Sequence, residues 1–241
     1  MNSSITDIVT SVLKEGMHGL SASSRLVHSV QIEMPANIKV IKKDVHAWIT
    51  NEDGTAYINF QYKGEYYKTN LRGTYQALNC AYAIEVFKYL NQNGLKITRE
   101  HIDNGFVRVP FNGHFETIHK KPLVIIDKVD NAEDVKNFVK TVDEYFGRAV
   151  QRSLVTPQNL HPKPFKKVII FDCNFGLEEL IKIKQNITII FTNEPLRQKY
   201  LTLYNGVVKT MTMTVEKAIP HAMKNFADHK IFVVGTKTIV Y

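Results

Sequence analysis

Four short runs of consecutive apolar residues constrain the second half of this 241-residue chain most strongly. Each run has the length of a strand, and segments with helical periodicity separate them. A strand that is apolar at nearly every position must be covered on both faces, which is typical of parallel sheets flanked by helices. We therefore expect an α/β fold with a Rossmann-like, mostly parallel sheet that has helices on both faces. The runs are Leu123–Asp127, Lys167–Phe171, Ile187–Phe191 and Lys230–Gly235.

The first half of the chain has the pattern of an antiparallel meander. Aromatic and β-branched residues are frequent between positions 47 and 70, and turn dipeptides interrupt them. This pattern predicts a smaller α+β part in front of the parallel sheet. We expect three strands, at Ala47–Thr50, Ala56–Tyr62 and Glu65–Asn70, joined at Asp53-Gly54 and Lys63-Gly64.

Helical segments precede and follow this meander, and the last of them ends near Phe106. We place a domain boundary there, so that residues 1–106 form the first domain and residues 107–241 the second. Thr98 is expected to cap the last helix of the first domain and Gly105 to end it. The predicted helices cover residues 5–13, 74–90, 98–105, 132–146, 177–183, 194–203 and 215–227.

No segment of the chain has the composition of a membrane span. The apolar runs fall far short of the roughly 20 residues that cross a bilayer, and the first residues lack a basic segment followed by a continuous apolar core. A cytoplasmic location is therefore the default expectation. The two cysteines, Cys80 and Cys173, lie in apolar surroundings without a CxxC motif, so we expect buried thiols and no disulfide or metal site.

The formal net charge of +8 indicates acidic partners, such as nucleotides, polyanionic metabolites or nucleic acid. The charge does not choose among these classes. The densest lysine groups flank predicted strands, where solvated strand ends are the ordinary explanation. A nucleic-acid binder more often has a continuous basic stripe with interleaved aromatic residues, so the sequence does not favour nucleic acid as a partner.

The common nucleotide-binding motifs do not occur. The 241 residues contain neither G-x-x-x-x-G-K-[ST] nor G-x-G-x-x-G. The nearest sequence, Gly235-Thr236-Lys237-Thr238, lacks the earlier glycine and a following helix. Since a phosphate-cradling loop needs the amides of a helix N-terminus, we expect no self-sufficient triphosphate site.

Three stretches, in this order, carry a resemblance to a known family. The first, Leu71–Asn79, resembles the L-x-G-x-H-Q-x-x-N that opens a helix in folylpolyglutamate synthases, relatives of the Mur peptidoglycan ligases. The second, Phe111–Glu116, stands where that family has W-P-G-R-hydrophobic-E. The third, Ile126–Ala132, stands where it has the D-G-A-H-N-P turn. The closing VVGTKTIVY also looks like the family's last strand.

The resemblance implies the fold of an ATP-dependent amide ligase, with ATP and magnesium as cofactors. In that family the γ-phosphoryl group passes to a substrate carboxylate, and the amino group of glutamate attacks the acyl phosphate. Residues 1–106 would correspond to the tail of the central domain and residues 107–241 to the C-terminal domain. The part of the family that carries the P-loop and holds magnesium has no counterpart in this sequence.

Seven residues form the nucleotide- or substrate-binding set that the resemblance implies. Gln76 and Asn79 match the first motif, with Asn79 as the adenine-side contact. His114 replaces an arginine that the family directs at the nucleotide phosphates, and a neutral histidine has no bidentate fork. No catalytic residue and no metal ligand is carried over. In the third motif Asp127 and Asn131 match, whereas Lys128 replaces a glycine and Asp130 a histidine.

These matches also have structural explanations. Asp127 can brace the turn after its strand, and Asn131 is an ordinary residue for a helix N-cap. Gln76 and Asn79, in the first turn of an apolar helix, can form local hydrogen bonds. The sequence leaves ligand contact and structural bracing open for all four.

Functions of different classes are compatible with these residues. The first is a folylpolyglutamate-synthase-like protein that is inactive as a ligase alone and depends on a partner with a P-loop, or on self-association through an exposed apolar face. The alternative is a non-catalytic module that binds an anionic small molecule or a protein in the cleft between its two parts, as Lys128 and His114 suggest. A third hypothesis is nucleic-acid binding through the net positive charge.

Overall fold

The computed structural model divides into two compact units, unit 1 (Met1–Phe111) and unit 2 (Asn112–Tyr241). Phe106, near which the sequence places the boundary, lies inside the last helix of unit 1 and is fully buried. The structure describes residues 3–16, 42–52, 55–110, 113–147, 165–183, 186–204, 206 and 208–236. The predicted turn at Asp53-Gly54, the first two residues of the second motif and the tail from Lys237 onward lie outside this set.

Unit 1 contains a three-stranded antiparallel sheet in the order β1-β2-β3, where the strands are β1 (Val45–Glu52), β2 (Thr55–Tyr62) and β3 (Glu65–Thr69). The predicted meander is therefore confirmed, with a first strand longer than expected. One face of the sheet packs on the core of the unit through Ile58, Phe60 and Tyr62 of β2, all of which are buried. Because neighbouring residues of a strand point to opposite faces, the residues between them lie on the outer face.

Among the described residues of unit 1, three helices contribute to its core: α1 (Ser3–Gly16), α2 (Gln76–Gln92) and α3 (Arg99–Val107). Thr98 caps α3 as predicted, because its side chain accepts a hydrogen bond from the His101 N–H. The expectation that Gly105 ends this helix is wrong, since the helix continues to Val107. Gly105 instead allows α1 to approach, because a Cβ at this position would lie 2.4 Å from Cγ2 of Val12.

Unit 2 contains a six-stranded sheet. Its strands are β4 (Glu116–Lys120), β5 (Leu123–Lys128), β6 (Lys167–Asp172), β7 (Ile187–Phe191), β8 (Lys209–Thr212) and β9 (Lys230–Gly235). They lie in the order β4-β5-β9-β6-β7-β8, and all are parallel except β4, which pairs with β5 in the antiparallel sense. The predicted mostly parallel sheet is confirmed.

Helices cover both faces of this sheet, as the continuously apolar strands predict. They are α4 (Ala132–Phe146), α5 (Leu177–Leu180), α6 (Glu194–Leu203) and α7 (Val215–Asn225). The first three pack on one face, in a cluster that includes Phe171, Phe191 and Phe232. On the opposite face α7 packs against Val168 and Ile170. The carboxyl ends of the five parallel strands therefore meet at one edge, where ligands bind in sheets of this kind.

In unit 2, two strands and the end of α5 are among the differences from the sequence prediction. The sequence pattern does not predict the edge strands β4 and β8. Both are short, and each is half-exposed or exposed along its length, so neither has the run of apolar residues that marks the central strands. The helix expected to reach Ile183 ends at Leu180 and continues as a turn. Within the described residues, no helix is long and apolar enough to cross a membrane.

Candidate functional site

Asp127 lies at the end of β5, and its side chain is directed into unit 2 rather than into solvent. The residue is only 5% exposed. Its Oδ1 accepts a hydrogen bond of 2.9 Å from the backbone N–H of Phe115. The carboxyl of Asp127 thus braces a neighbouring turn, which is one of the two roles that the sequence leaves open.

The braced turn runs from Gly113 to Glu116 and carries the predicted residue His114. Lys128 donates its backbone N–H to the Gly113 carbonyl over 2.8 Å, and the Gly113 N–H donates to Oε2 of Glu116 over 2.9 Å. Phe115 has a φ of +49°, a backbone conformation that residues other than glycine adopt at a cost in free energy. Its buried ring packs at tilted angles against Phe138 and Phe232 of the core, and this packing offsets that cost. The structure therefore brings His114, Asp127 and Lys128 together at one strand end.

The pKa of Asp127 is raised from 3.8 to about 8, chiefly by burial and to a smaller extent by the nearby Asp134 carboxylate, while the hydrogen bond from Phe115 opposes both effects. A carboxyl with this pKa is mostly protonated at neutral pH. A neutral, inward-facing acid is a poor ligand for magnesium or for a ribose hydroxyl. The ligand contact that the family resemblance implies for Asp127 would need a free carboxylate, and the structure does not provide one at this position.

The two other predicted residues of this turn lie on the surface. Asn131 is the N-cap of α4, because its Oδ1 accepts the Asp134 N–H over 3.1 Å. Asp130 is exposed, and its backbone N–H donates to Oδ2 of Asp134 over 3.0 Å. The capping explanation for Asn131 therefore has direct geometric support.

Gln76 and Asn79 are buried in the first turn of α2 in unit 1. Asn79 Nδ2 donates to Oε1 of Gln76 over 2.8 Å, and Gln76 Nε2 donates to the Tyr75 hydroxyl over 3.0 Å. These bonds use polar groups that a ligand would otherwise contact. They support the local hydrogen-bonding explanation for both residues.

A cavity at the carboxyl edge of the unit 2 sheet contains polar residues outside the predicted set. Its volume is about 440 Å³, within the range of small-molecule sites. It lies beyond the ends of β6, β7 and β9. The signal that could have found it is the polar residue that follows each apolar strand, since parallel strands end at one edge. The cavity is lined by Asp172, Cys173, Asn174, Asn193, Pro195, Leu196, Lys199 and Thr236.

Strand register places charges on either side of Gly235. Lys128 of β5 and Asp172 of β6 both pair with this glycine of β9, so all three point to the same face. A Cβ at Gly235 would lie 3.4 Å from Cβ of Asp172, so the missing side chain leaves room between the two charged residues. Thr192 donates its hydroxyl to Oδ1 of Asp172 and orients this carboxylate.

Two lysines at this edge have no ion pair within the described part of the chain, Lys128 and Lys199. Lysines on the neighbouring helices do have such pairs, for example Lys136 with Glu133 at 2.9 Å. Cys173 is not a nucleophile, because burial raises the pKa of its thiol to about 12. The edge thus offers ammonium, amide and hydroxyl donors to a polar ligand with negative charge.

The described residues contain no ready-made magnesium cage, since no group of three histidine, cysteine, aspartate or glutamate side chains among them could hold a metal ion. Asp127, which the resemblance places in the nucleotide- or substrate-binding set, is buried and bonded to the backbone. A nucleotide fits better, since the donors around the cavity are those that recognise phosphate and hydroxyl groups.

Solved folylpolyglutamate synthetases share this architecture. The enzyme from Lactobacillus casei matches 81% of this chain with a TM-score of 0.52 at 15% sequence identity. The Mycobacterium tuberculosis enzyme, in complex with ADP and AMPPCP, matches 82% with a TM-score of 0.58 at 15% identity. The chain has the folylpolyglutamate synthetase fold. The resemblance carried by the three motifs is therefore confirmed at the level of the fold.

The likeness to these synthetases is partial. The matched regions are 44% of the L. casei chain and 46% of the M. tuberculosis chain, so this chain spans less than half their length. Another synthetase structure, a complex with AMPPCP and folate, matches with a TM-score of 0.52. No family model and no curated protein matches the sequence. Structural likeness at this identity establishes the fold and leaves the activity to be argued from the site.

Proposed function

We propose that this chain is a synthetase-fold protein whose unit 2 binds a nucleotide at the carboxyl edge of its sheet, and that it does not form amide bonds alone. The cavity at the carboxyl edge, with Lys199 and Asn193 in its lining, carries the binding part of this proposal, and the buried Asp127 carboxyl, which accepts the Phe115 N–H, supports the absence of ligation. The donors around the cavity can hold phosphate and ribose groups. Phosphoryl transfer also needs cations positioned at the transferred group, which these residues do not supply.

Ligation would then depend on a P-loop from outside these residues. The sequence contains no G-x-x-x-x-G-K-[ST] motif, and the solved synthetases are more than twice as long as the region they share with this chain. A partner polypeptide with a P-loop would complete the site, whereas self-association of these residues would not supply one. ATP with magnesium would be the cofactor of that complex, and the cytoplasm would be its location.

Binding of a fluorescent ATP analogue tests the nucleotide site. Lys199 lines the cavity, so Lys199→Met is expected to weaken binding about tenfold, the typical effect of losing a hydrogen bond to a charged group. Lys224→Met is the matched control, because Lys224 is an exposed lysine of α7 and does not line the cavity. Equal affinities of the two variants, measured by fluorescence polarisation, would contradict the assignment of the cavity.

A second candidate is a non-catalytic module that binds an anionic small molecule other than a nucleotide. The observation in its favour is the free charge at the edge, where Lys128 and Lys199 have no ion pair within the described residues. Competition against the ATP analogue separates the two candidates. Displacement by inorganic triphosphate as readily as by ATP would favour the anion-binding module, since the base and ribose would then contribute nothing to the affinity.

A further inference from the structure

The outer face of the unit 1 sheet presents aromatic side chains that the core does not use. Trp48 of β1 pairs with Asn59 of β2, which pairs with Lys68 of β3. In the next row Gln61 of β2 pairs with Tyr66 of β3. Because Phe60, between Asn59 and Gln61, faces the core, both rows lie on the outer face.

Two of these rings are open to solvent. Tyr66 is 63% exposed and Trp48 is 42% exposed. Their ring centroids lie 6.3 Å apart with an interplanar angle of 76°, so Trp48 reaches across β2 toward Tyr66. Adjacent exposed aromatic rings on one sheet face are a feature of interaction sites, whereas a single exposed ring has no such meaning.

A cavity of about 310 Å³ adjoins Tyr66. Asn59 and Lys68 line it from the sheet, and Asp103 and Val107 line it from α3. Tyr66 supplies an aromatic wall on which an unpaired base can stack. The Asn59 Nδ2 already donates to the Thr50 hydroxyl and the Asp103 carboxylate is paired with Arg99, so a base would be held mainly by stacking.

The charges on this face are largely paired with each other. Lys68 forms an ion pair of 2.8 Å with Glu52 and lies 4.7 Å from the centroid of the Tyr57 ring. Beside this face, Arg99 of α3 pairs with Asp103 at 2.8 Å and lies 4.1 Å from the ring centroid of Tyr67, which is on the core face of β3. A ligand of this face would gain more from stacking than from contacts between phosphates and cations.

We propose that the outer face of the unit 1 sheet binds single-stranded nucleic acid by stacking unpaired bases on Tyr66 and Trp48. Rings on a sheet face, beside amides such as Asn59, are the arrangement with which single strands are bound. The formal net charge of +8 favours approach of a polyanion to the chain as a whole. The site is separate from the cavity of unit 2, so it does not depend on the proposed nucleotide function.

Trp48 is the only tryptophan of the chain, so its fluorescence reports on this face alone. We expect a twelve-nucleotide oligouridylate to quench it with saturation, since bases stack on the indole. Tyr66→Ala should weaken this binding about tenfold, the scale of one lost stacked base. Tyr89→Ala is the control, because Tyr89 is 41% exposed on α2 and lies outside this face. Both substitutions remove an exposed ring, and matched melting curves of the two variants would verify folding.

Three further experiments give the results that would overturn the proposal. Equal affinity for a twelve-base-pair duplex, or a steep loss of binding between 50 and 300 mM salt, would mean non-specific electrostatic binding instead of stacking. Equal affinity for uridine monophosphate would assign the face to a free nucleotide. Self-association that Tyr66→Ala abolishes, seen by analytical ultracentrifugation, would assign it to a second copy of the chain. Absence of quenching, or quenching unchanged in Tyr66→Ala, would also refute base stacking here.

Discussion

The backbone N–H of Phe115 donates a 2.9 Å hydrogen bond to Oδ1 of Asp127, and this carboxyl is only 5% exposed. The bond joins the second and third sequence motifs, which are separate in the chain. It also explains how a buried carboxyl is tolerated at the end of a strand, because the accepting oxygen has a partner. A residue that the family resemblance assigns to ligand contact is here part of the internal framework of unit 2.

Asp127→Asn is expected to remove a pH dependence of stability. The folded-state pKa of Asp127 is about 8 and its ordinary value is 3.8, so the wild type loses stability as pH rises between these values and changes no further above them. Asparagine keeps an oxygen for the Phe115 N–H and has no charge to bury. We expect the variant to be more stable than the wild type by a few kcal/mol at pH 8.5, at about 1.4 kcal/mol per pKa unit.

The measurement is urea unfolding of both proteins at pH 5, 7 and 8.5. Since the other titrating groups are common to both, the difference between the two proteins isolates Asp127. Asp127→Leu is the control, because it removes both the charge and the acceptor and should be less stable than Asp127→Asn by about 1–3 kcal/mol at every pH. Parallel pH profiles of the wild type and Asp127→Asn would refute the raised pKa.

Gly176→Ala is expected to destabilise unit 2 more than Gly113→Ala. Both glycines have positive φ, +74° and +82°, so both substitutions carry a similar backbone cost of roughly 1–2 kcal/mol. A Cβ at Gly176 would also lie 2.7 Å from Cβ of Val135 in α4, whereas at Gly113 the nearest atom would be 3.7 Å away. Thermal unfolding of the two variants measures the difference, and equal losses would mean that α4 moves aside freely.

Asn131→Ala is expected to cost about 1 kcal/mol, because it removes the side-chain cap of α4. Asn131→Ser retains a capping oxygen and should restore most of that stability. Binding of the ATP analogue to the serine variant decides between the two explanations of this residue. Unchanged affinity would leave Asn131 as a cap only, and weaker binding at unchanged stability would make it a ligand contact.

Arg99→Lys is expected to destabilise unit 1 by about 1–2 kcal/mol. The Arg99 Nε–H is shared between both carboxylate oxygens of Asp103, at 2.8 and 2.9 Å, and the guanidinium stacks on Tyr67, a contact that an ammonium cannot reproduce. Arg108→Lys is the control, because Arg108 also forms an exposed ion pair, with Glu15, and exposed pairs by themselves contribute little. Similar urea midpoints for the two variants would contradict a special role for Arg99.

The sequence predicts the sheet of unit 2 well because its central strands are apolar at nearly every position. Ile169 and Ile170 point to opposite faces and both are fully buried. A strand that is apolar on both faces must be covered on both, which is what a parallel sheet between two layers of helices provides. Edge strands lack such a constraint. In β8, for example, Thr210 and Met211 are both partly exposed, and no periodicity marks them as a strand.

The candidate sites depend on register and side-chain direction, which local patterns do not contain. The sequence shows that Asp127 ends a strand, but only the fold shows that its carboxyl meets the Phe115 N–H. Trp48 and Tyr66 lie on different strands, and the pairing through β2 brings their rings together. The cavity of unit 2 likewise gathers residues that follow three separate strands.

Isothermal titration calorimetry of the purified chain with ATP and magnesium tests the central claim most directly. Binding without catalysis predicts heats that saturate, with the signal returning to baseline after each injection and no change when folate, as the carboxylate substrate, and glutamate are both present. Sustained heat flow that requires both folate and glutamate would show turnover and contradict the claim that the chain does not ligate alone. Absence of any binding heat at high protein concentration would contradict the proposed nucleotide site itself.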